Sequence, residues 1–366
     1  MPSAVSGSGS GSEAVTAELA MTRALRLAER GWGRVHPNPM VGAVVVRDGQ
    51  VIGEGWHAEF GEAHAEVVAL HQAGEAARGA TLYVTLEPCA HHGKQPPCVD
   101  AIRAAGITRV VAAVRDPDPA AAGGGGQLEA AGIPVTFGPL ADEADRLNFR
   151  FLQRFRHATR PFVTVKLAVT MDGLIADVSG TSRWISGPEA RRWVHHLRAG
   201  YAGVAVGGAT AWRDQVRLTV RGDVVPRTAP LRIVLTRSMD EPPASLLADV
   251  ADANVVLVRI DATAGRQRST RGPVTVLTAA GLPDALGALA AEGVDSLLVE
   301  GGGRLAGALQ AADLVDRIHQ VQSPVWLGQG VPAWGGGDAV PLHEARHWRT
   351  VDRLALGEDT VLTMER

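Results

Sequence analysis

Apolar positions change their period along the chain, and each change marks a predicted element. From Glu13 onward, Leu19, Leu25, Leu27 and Ala28 fall near one face of a helix, with Gly31 placed as its left-handed terminating residue. Two β-rich runs, 41–46 and 51–56, flank Asp48-Gly49, a two-residue hairpin signal. Elements then alternate: a helix from about His64, a strand at 81–86, a helix from about Cys98 to Ala105, a strand at 109–114, and a short helix-strand pair ending near Phe137. Such alternation predicts a layered α/β domain.

Between Asp142 and Arg160, arginines interspersed with Phe149, Phe151 and Phe155 suit a connecting helix, which puts a domain boundary near residue 158. The expected domains are therefore 13–158 and 159–366. A strand at 161–169 opens the second. The Ser186-Gly-Pro-Glu stretch that follows combines a capping box with proline at the first helical position, and Ala190, Trp193, Val194 and Leu197 continue the helix at i, i+3, i+4, i+7. Further apolar strands are expected at 204–206, 231–235, 255–258, 274–277 and 297–299. Both halves read as α/β, and no internal repeat relates them.

Composition narrows the function. At 366 residues and 46% hydrophobic content the chain exceeds what one core usually supports, and a net charge of −3 without a basic stripe gives no nucleic-acid surface. No apolar run approaches a membrane span or a signal peptide, so the reading is cytoplasmic. Residues 1–12, rich in Gly and Ser, are expected to be a disordered tail.

With only Cys89 and Cys98 present, a metal site or a reactive pair must be weighed instead of a disulfide scaffold. His64-Ala65-Glu66, Pro88-Cys89 and Cys98 together match the signature of zinc nucleobase deaminases, with Cys-x8-Cys in place of the commoner Cys-x2-Cys. His64, Cys89 and Cys98 give three ligands for one Zn2+ and leave the fourth tetrahedral position to water. Zinc makes that water nucleophilic near neutral pH, and Glu66 is the shuttle carrying its proton to the departing amine. Residues i and i+2 reach one metal only from a helix that points its N-terminus at the site. Two ordinary buried cysteines, or a purely structural zinc, are the alternatives.

The segments His36-Pro-Asn-Pro39, Gly55-Trp-His57, His64-Ala-Glu66 and Thr85-Leu-Glu-Pro-Cys-Ala-His-His-Gly93 through Cys98 resemble the bifunctional riboflavin-biosynthesis deaminase/reductase family, the RibD-type proteins. The resemblance implies a cytidine-deaminase-like three-layer domain followed by a dihydrofolate-reductase-like domain that uses NADPH. It implies that Asn38, His57 and Lys94 line a pyrimidine-ribose-phosphate pocket. Asp116-Pro-Asp-Pro119 is similar to the family as well, whereas Gly123–Gly126 reads as a mobile loop without a role.

In the second half, Glu300-Gly-Gly-Gly303 delivers a helix N-terminus that is either a phosphate cradle or a tight turn. Residues 161–173, 184–191, 197–199, 218–221 and 299–309 are similar to the family's characteristic stretches. By that resemblance Ala168, Trp184, Thr210, Asp214 and the turn Gly301, Gly302, Gly303, Arg304, Leu305, Ala306 and Gly307 contact NADPH. Ser182, Arg198, Leu218, Arg221 and Glu300 contact substrate. Read by themselves, Trp184 is a core residue and Arg198 a solvated helix-end cation. Asp214-Gln215-Val216 departs from the family's Asp-Asp-Pro, losing a charge and a rigid turn. Arg237, just past the strand 231–235, is a candidate for the NADPH 2′-phosphate. The implied reactions are deamination of a diaminopyrimidinone ribosylamino 5′-phosphate, then reduction of ribosyl to ribityl; a homodimer or homotetramer is implied as well.

Overall fold

The computed structural model describes residues 14–156, 159–248, 255–336 and 340–366. The tail expected over 1–12 lies outside the described residues, as do positions 157 and 158, where the boundary was expected. The chain divides into two compact units, Met1–Leu152 and Gln153–Arg366. No helix among the described residues is long and apolar enough to cross a membrane.

In the first unit the helices are α1 (Ala17–Ala28), α2 (Ala65–Ala73), α3 (Cys98–Ala104), α4 (Gly124–Ala130), α5 (Ala141–Leu147) and α6 (Phe149–Gln153). The strands β1 (Gly42–Arg47), β2 (Gln50–Trp56), β3 (Thr81–Leu86), β4 (Arg109–Val114) and β5 (Val135–Phe137) pair in the order β2-β1-β3-β4-β5. The first two pairings are antiparallel and the last two parallel. Successive strand residues face opposite layers. Ala43, Val45, Leu82, Val84, Val110 and Ala112 pack with residues of α2 and α3, while Val44, Val46, Tyr83, Val111 and Ala113 pack with α1. The unit is therefore a three-layer α/β/α sandwich.

The predicted hairpin forms with both turn residues left-handed, Asp48 at φ 49° and Gly49 at φ 72°. Gly31 does not end α1 in a left-handed conformation. It closes a 3-10 turn, and a side chain there would come 2.9 Å from the carbonyl oxygen of His57, so close approach is what requires glycine. The single connecting helix expected over 142–160 is two short ones broken at Asn148. That buried amide accepts from the Met40 N–H (2.8 Å) and donates to the Met40 carbonyl (2.9 Å).

The second unit is built on a ten-stranded sheet. Its strands are β6 (Phe162–Val169), β8 (Gly203–Gly207), β9 (Leu231–Thr236), β10 (Val255–Ile260), β11 (Gln267–Arg271), β12 (Val274–Ala279), β13 (Ser296–Glu300), β14 (Arg317–Gln322), β16 (Arg349–Leu356) and β17 (Asp359–Glu365). Two short strands, β7 (Leu174–Ala176) and β15 (Val331–Pro332), pair separately. The order is β11-β12-β10-β9-β8-β13-β6-β14-β17-β16, parallel from β12 to β14, with antiparallel strands added at both edges. Helices α7 (Pro188–Ala199), α8 (Gly208–Asp214), α9 (Ala244–Leu247), α10 (Leu282–Ala291) and α11 (Gly303–Ala311) complete it. The start of α7 corrects the capping-box reading: Gly187, not Ser186, is the N-cap, and its N–H is taken by the Asp359 carboxylate at 2.7 Å. Proline does occupy the first helical position.

Candidate functional site

The site in the first unit begins with two glycines. Side chains at Gly53 and Gly55 in β2 would lie 2.2 Å from the Ala69 carbonyl and 2.3 Å from the Ala65 carbonyl, so α2 rests directly on the strand backbone. This seats the helix start. His64 is its N-cap in extended conformation, its carbonyl accepting from the Val68 N–H at 3.2 Å, and Glu66 follows in the first turn. Cys89 comes just after β3, and Cys98 is the first residue of α3.

These elements bring together His64, Cys89 and Cys98. The His64 Nδ1 is 3.3 Å from the Cys98 Sγ and 3.5 Å from the Cys89 Sγ, and the three ligand atoms all lie within 4.8 Å of one another. The Cys98 N–H adds a donor to the Cys89 Sγ at 3.4 Å. The Cys89 thiol is pulled down to about 4, first by its hydrogen bond with Cys98 and then by His64, against the opposing effect of burial. Cys98, holding the other end of that bond in a buried position, is pushed up. The pair thus favours a thiolate on Cys89. Glu66 is buried, and burial raises its carboxyl above the usual range.

One imidazole nitrogen and two sulfurs at this separation suit a tetrahedral zinc with one position left for water. His57 adjoins them edge-on to His64, with ring centroids 5.4 Å apart. Its ring lies between the Ala63 carbonyl (3.1 Å from Nδ1) and the Asn38 amide (3.1 Å from Nε2), which makes Nδ1 the donor and Nε2 the acceptor. Burial lowers its pKa, so it is neutral. Lys94 places its ammonium over the Phe60 ring, 4.0 Å from the centroid.

In the second unit a cavity of about 450 Å³ opens outside the carboxyl ends of the parallel strands, where ligands of open α/β sheets bind. Among the sequence-predicted cofactor residues, Ala168, Trp184, Thr210, Asp214, Gly301 and Gly302 line it. Ser182, Arg198, Leu218, Arg221 and Glu300 from the substrate set do so too. Gly303, Arg304, Leu305, Ala306 and Gly307 are not on its wall. Side chains at Gly303 and Gly307 would meet the Pro332 carbonyl at 2.5 Å and the Gly335 carbonyl at 2.0 Å, so these two glycines serve close packing. Arg237 is exposed beyond β9 and off the wall as well.

Trp184 is 68% exposed, which corrects its reading as core, and its ring is capped by Arg191, 4.5 Å from the centroid. Arg198 is not a solvated cation. Its side chain is 13% exposed and doubly hydrogen-bonded to Glu300. The turn before α11 sets Gly301 and Gly302 at φ 68° and 80°, two consecutive left-handed residues that turn the chain from β13 into the helix. In the Asp214-Gln215-Val216 departure, Gln215 itself is left-handed at φ 44°, and its side-chain amide donates to the Trp212 carbonyl at 2.8 Å. The Asp214 carboxylate accepts from Arg213 at 3.0 Å.

Sequence reasoning missed Lys166. It is the partner of Glu300 across β6 and β13, and it lines the cavity. Burial lowers its pKa while Glu300 holds it up. Glu300, despite burial, is kept below the usual carboxylate range by Arg198 and Lys166. The signal was there: a lysine inside the otherwise apolar run Phe162–Val169.

Two family models match, the cytidine and deoxycytidylate deaminase zinc-binding region over residues 15–114 and the RibD C-terminal domain over 161–362. The chain is 41% identical over 328 residues to the riboflavin biosynthesis protein RibD of Escherichia coli (strain K12), covering 85% of this chain and 88% of that protein. The chain belongs to the RibD family. The RibD of Aquifex aeolicus is 39% identical over 351 residues, 94% of this chain and 97% of that one. Among solved structures, RibD from Acinetobacter baumannii and the diaminohydroxyphosphoribosylaminopyrimidine deaminase/5-amino-6-(5-phosphoribosylamino)uracil reductase from Thermotoga maritima both superimpose with a TM-score of 0.78. Each is 35% identical and covers 95% of this chain and 98% of the other. With the family, both RibD folds are in place: the cytidine-deaminase-like layers and the dihydrofolate-reductase-like sheet.

Proposed function

We propose that this chain performs two consecutive steps of riboflavin biosynthesis. The first unit hydrolyses the exocyclic amine of 2,5-diamino-6-(ribosylamino)-4(3H)-pyrimidinone 5′-phosphate. The second reduces the ribosyl group of the product to ribityl with NADPH. The observation carrying this reading is the convergence of His64, Cys89 and Cys98 beside buried Glu66, in a chain whose other unit holds a separate arginine-rimmed cavity.

His64, Cys89 and Cys98 would hold one zinc ion, whose Lewis acidity makes water a nucleophile at neutral pH. Glu66 takes the proton from the attacking water on its carboxylate and returns it to the departing amino nitrogen. His57, linked to the Asn38 amide, orients Asn38 toward the pyrimidine site, and Lys94 offers a cation for the ribose phosphate.

NADPH, when bound, supplies the hydride. Trp184, Thr210, Asp214 and the Gly301-Gly302 turn form one side of its proposed site. Arg221, Ser182 and Leu218, together with the Arg198–Glu300 pair, would contact the substrate. Lys166, half-buried beside Glu300, lines the same cavity and would lie within reach of the same ligand. A homodimer or homotetramer is the assembly the family suggests, and light scattering tests it.

The direct test gives the zinc-loaded protein the diaminopyrimidinone phosphate without NADPH and measures ammonia. Stoichiometric release supports the reading; no release from a folded, zinc-loaded chain contradicts it.

A further inference from the structure

Glu87 directly precedes Pro88 and Cys89 and is buried, only 4% exposed. Both oxygens are used. Oε1 accepts from the Gly125 N–H at 2.9 Å, and Oε2 accepts from the Asp116 N–H at 3.1 Å. The two donors come from different segments, the loop leaving β4 and the first turn of α4. Backbone bonds tie the same stretch down further: Glu87 N–H to the Val114 carbonyl (2.9 Å), Ala90 N–H to the Ala121 carbonyl (3.1 Å) and Val99 N–H to the Cys89 carbonyl (3.4 Å). Cys89 sits in the middle of this lattice.

The glycine run 123–126 belongs to it and is not a free loop. A side chain on Gly124 would come 1.8 Å from the Pro88 carbonyl oxygen, and one on Gly125 3.1 Å from the Glu87 Oε1. Gly126 meets nothing within 4 Å. Glycine is thus required at 124, where α4 abuts the ligand turn, and is free to change at 126, in the same helical turn.

We propose that Glu87 is a positioning residue for Cys89, clamping the Glu87–Cys89 backbone against α4 and the 115–118 loop so that the thiolate stays aimed at the metal. The inference rests on the zinc reading above. Two charge-assisted bonds fix a carboxylate where both facing groups are donors. Glutamine could serve only one of them, because its amide nitrogen would confront the other N–H. With the turn loosened, Cys89 swings off the ion more often. Partners standing behind metal ligands commonly contribute about 10- to 100-fold to metal affinity.

The test follows zinc release from the loaded full-length chain into excess chromogenic chelator, for the wild type, E87Q, G124A and G126A. NADPH-dependent reductase turnover and the thermal midpoint of each loaded variant serve as folding controls. Release about tenfold faster or more is expected for E87Q and G124A at near-wild-type midpoints, with G126A matching the wild type. E87Q remains decisive if G124A fails to fold. Wild-type release from E87Q, or equal acceleration by G124A and G126A, overturns the proposal. A wild-type chain that takes up no zinc would instead sink the metal reading beneath it.

Discussion

The Arg198 guanidinium grips the Glu300 carboxylate through two parallel hydrogen bonds, Nε to Oε1 at 2.5 Å and Nη2 to Oε2 at 2.8 Å. The remaining Arg198 nitrogen donates to the Thr219 carbonyl at 2.7 Å. With side chains only 13% and 12% exposed, each ion depends largely on the other for solvation, with Lys166 a second cation beside Glu300. Removing one partner strands the second. Glu300→Gln or Arg198→Met should each destabilise the second unit by about 3–5 kcal/mol in urea unfolding, while the double variant recovers much of that loss. Additive losses in the double variant would show that the two side chains do not act as a pair.

A pH effect on stability is expected from His319. The ring is buried in β14, with Nδ1 3.0 Å from the Thr363 hydroxyl, Trp193 edge-on at 5.3 Å, and no hydrogen-bond partner for Nε2 among the described residues. Burial first, then the positive charges of Arg317 and Lys166, lowers its pKa to about 3. An unfolded histidine titrates near about 6.5, so between these values the unfolded chain holds a proton that the folded chain refuses. Stability from this group is complete above about pH 6.5 and falls as the pH drops toward about 3, with a slope approaching about 1.4 kcal/mol per pH unit. Denaturation midpoints from pH 4 to 7 should follow that slope, and His319→Phe should flatten it. An unchanged slope in the variant would assign the effect to other groups.

Metal content checks the ligand set. The purified chain should carry one zinc, and Cys89→Ser should lose most of it, because a hydroxyl is a far poorer ligand than a thiolate and two donors remain. Elemental analysis after gel filtration reads this directly. A full equivalent of zinc retained by the variant would refute the assignment of Cys89.

How much of this was legible in the sequence differs by element. Most buried strands announced themselves: the runs that became β1, β3, β4, β9, β10 and β12 are apolar because helices cover them or because they lie inside the sheet, whereas β14, whose run holds Arg317, His319, Gln320 and Gln322, gave no such signal. Nor did the outermost strands of the larger sheet. β11 reads Gln-Arg-Ser-Thr-Arg and is exposed along its whole length, and most of β16 faces solvent, so neither carries an apolar period. The ligand trio was legible because metal chemistry restricts residue type and spacing at once. Lys166 stood out as a charge within a strand, but its role did not, since that comes from lying beside Glu300 across two strands far apart in sequence. Gly31, Gly124, Gly303 and Gly307 share one lesson: each is fixed by a carbonyl oxygen from elsewhere in the chain, which no local pattern reveals.

The two-site account is tested most directly by Glu66→Gln, assayed for both reactions. Glutamine keeps the shape and hydrogen-bonding reach of the side chain but cannot carry a proton at neutral pH. The variant should retain zinc and its fold, lose ammonia release by about 100-fold or more, and reduce pre-deaminated substrate with NADPH at the wild-type rate. If both activities fall together in a folded, zinc-loaded variant, the assignment of separate sites to the two units is wrong.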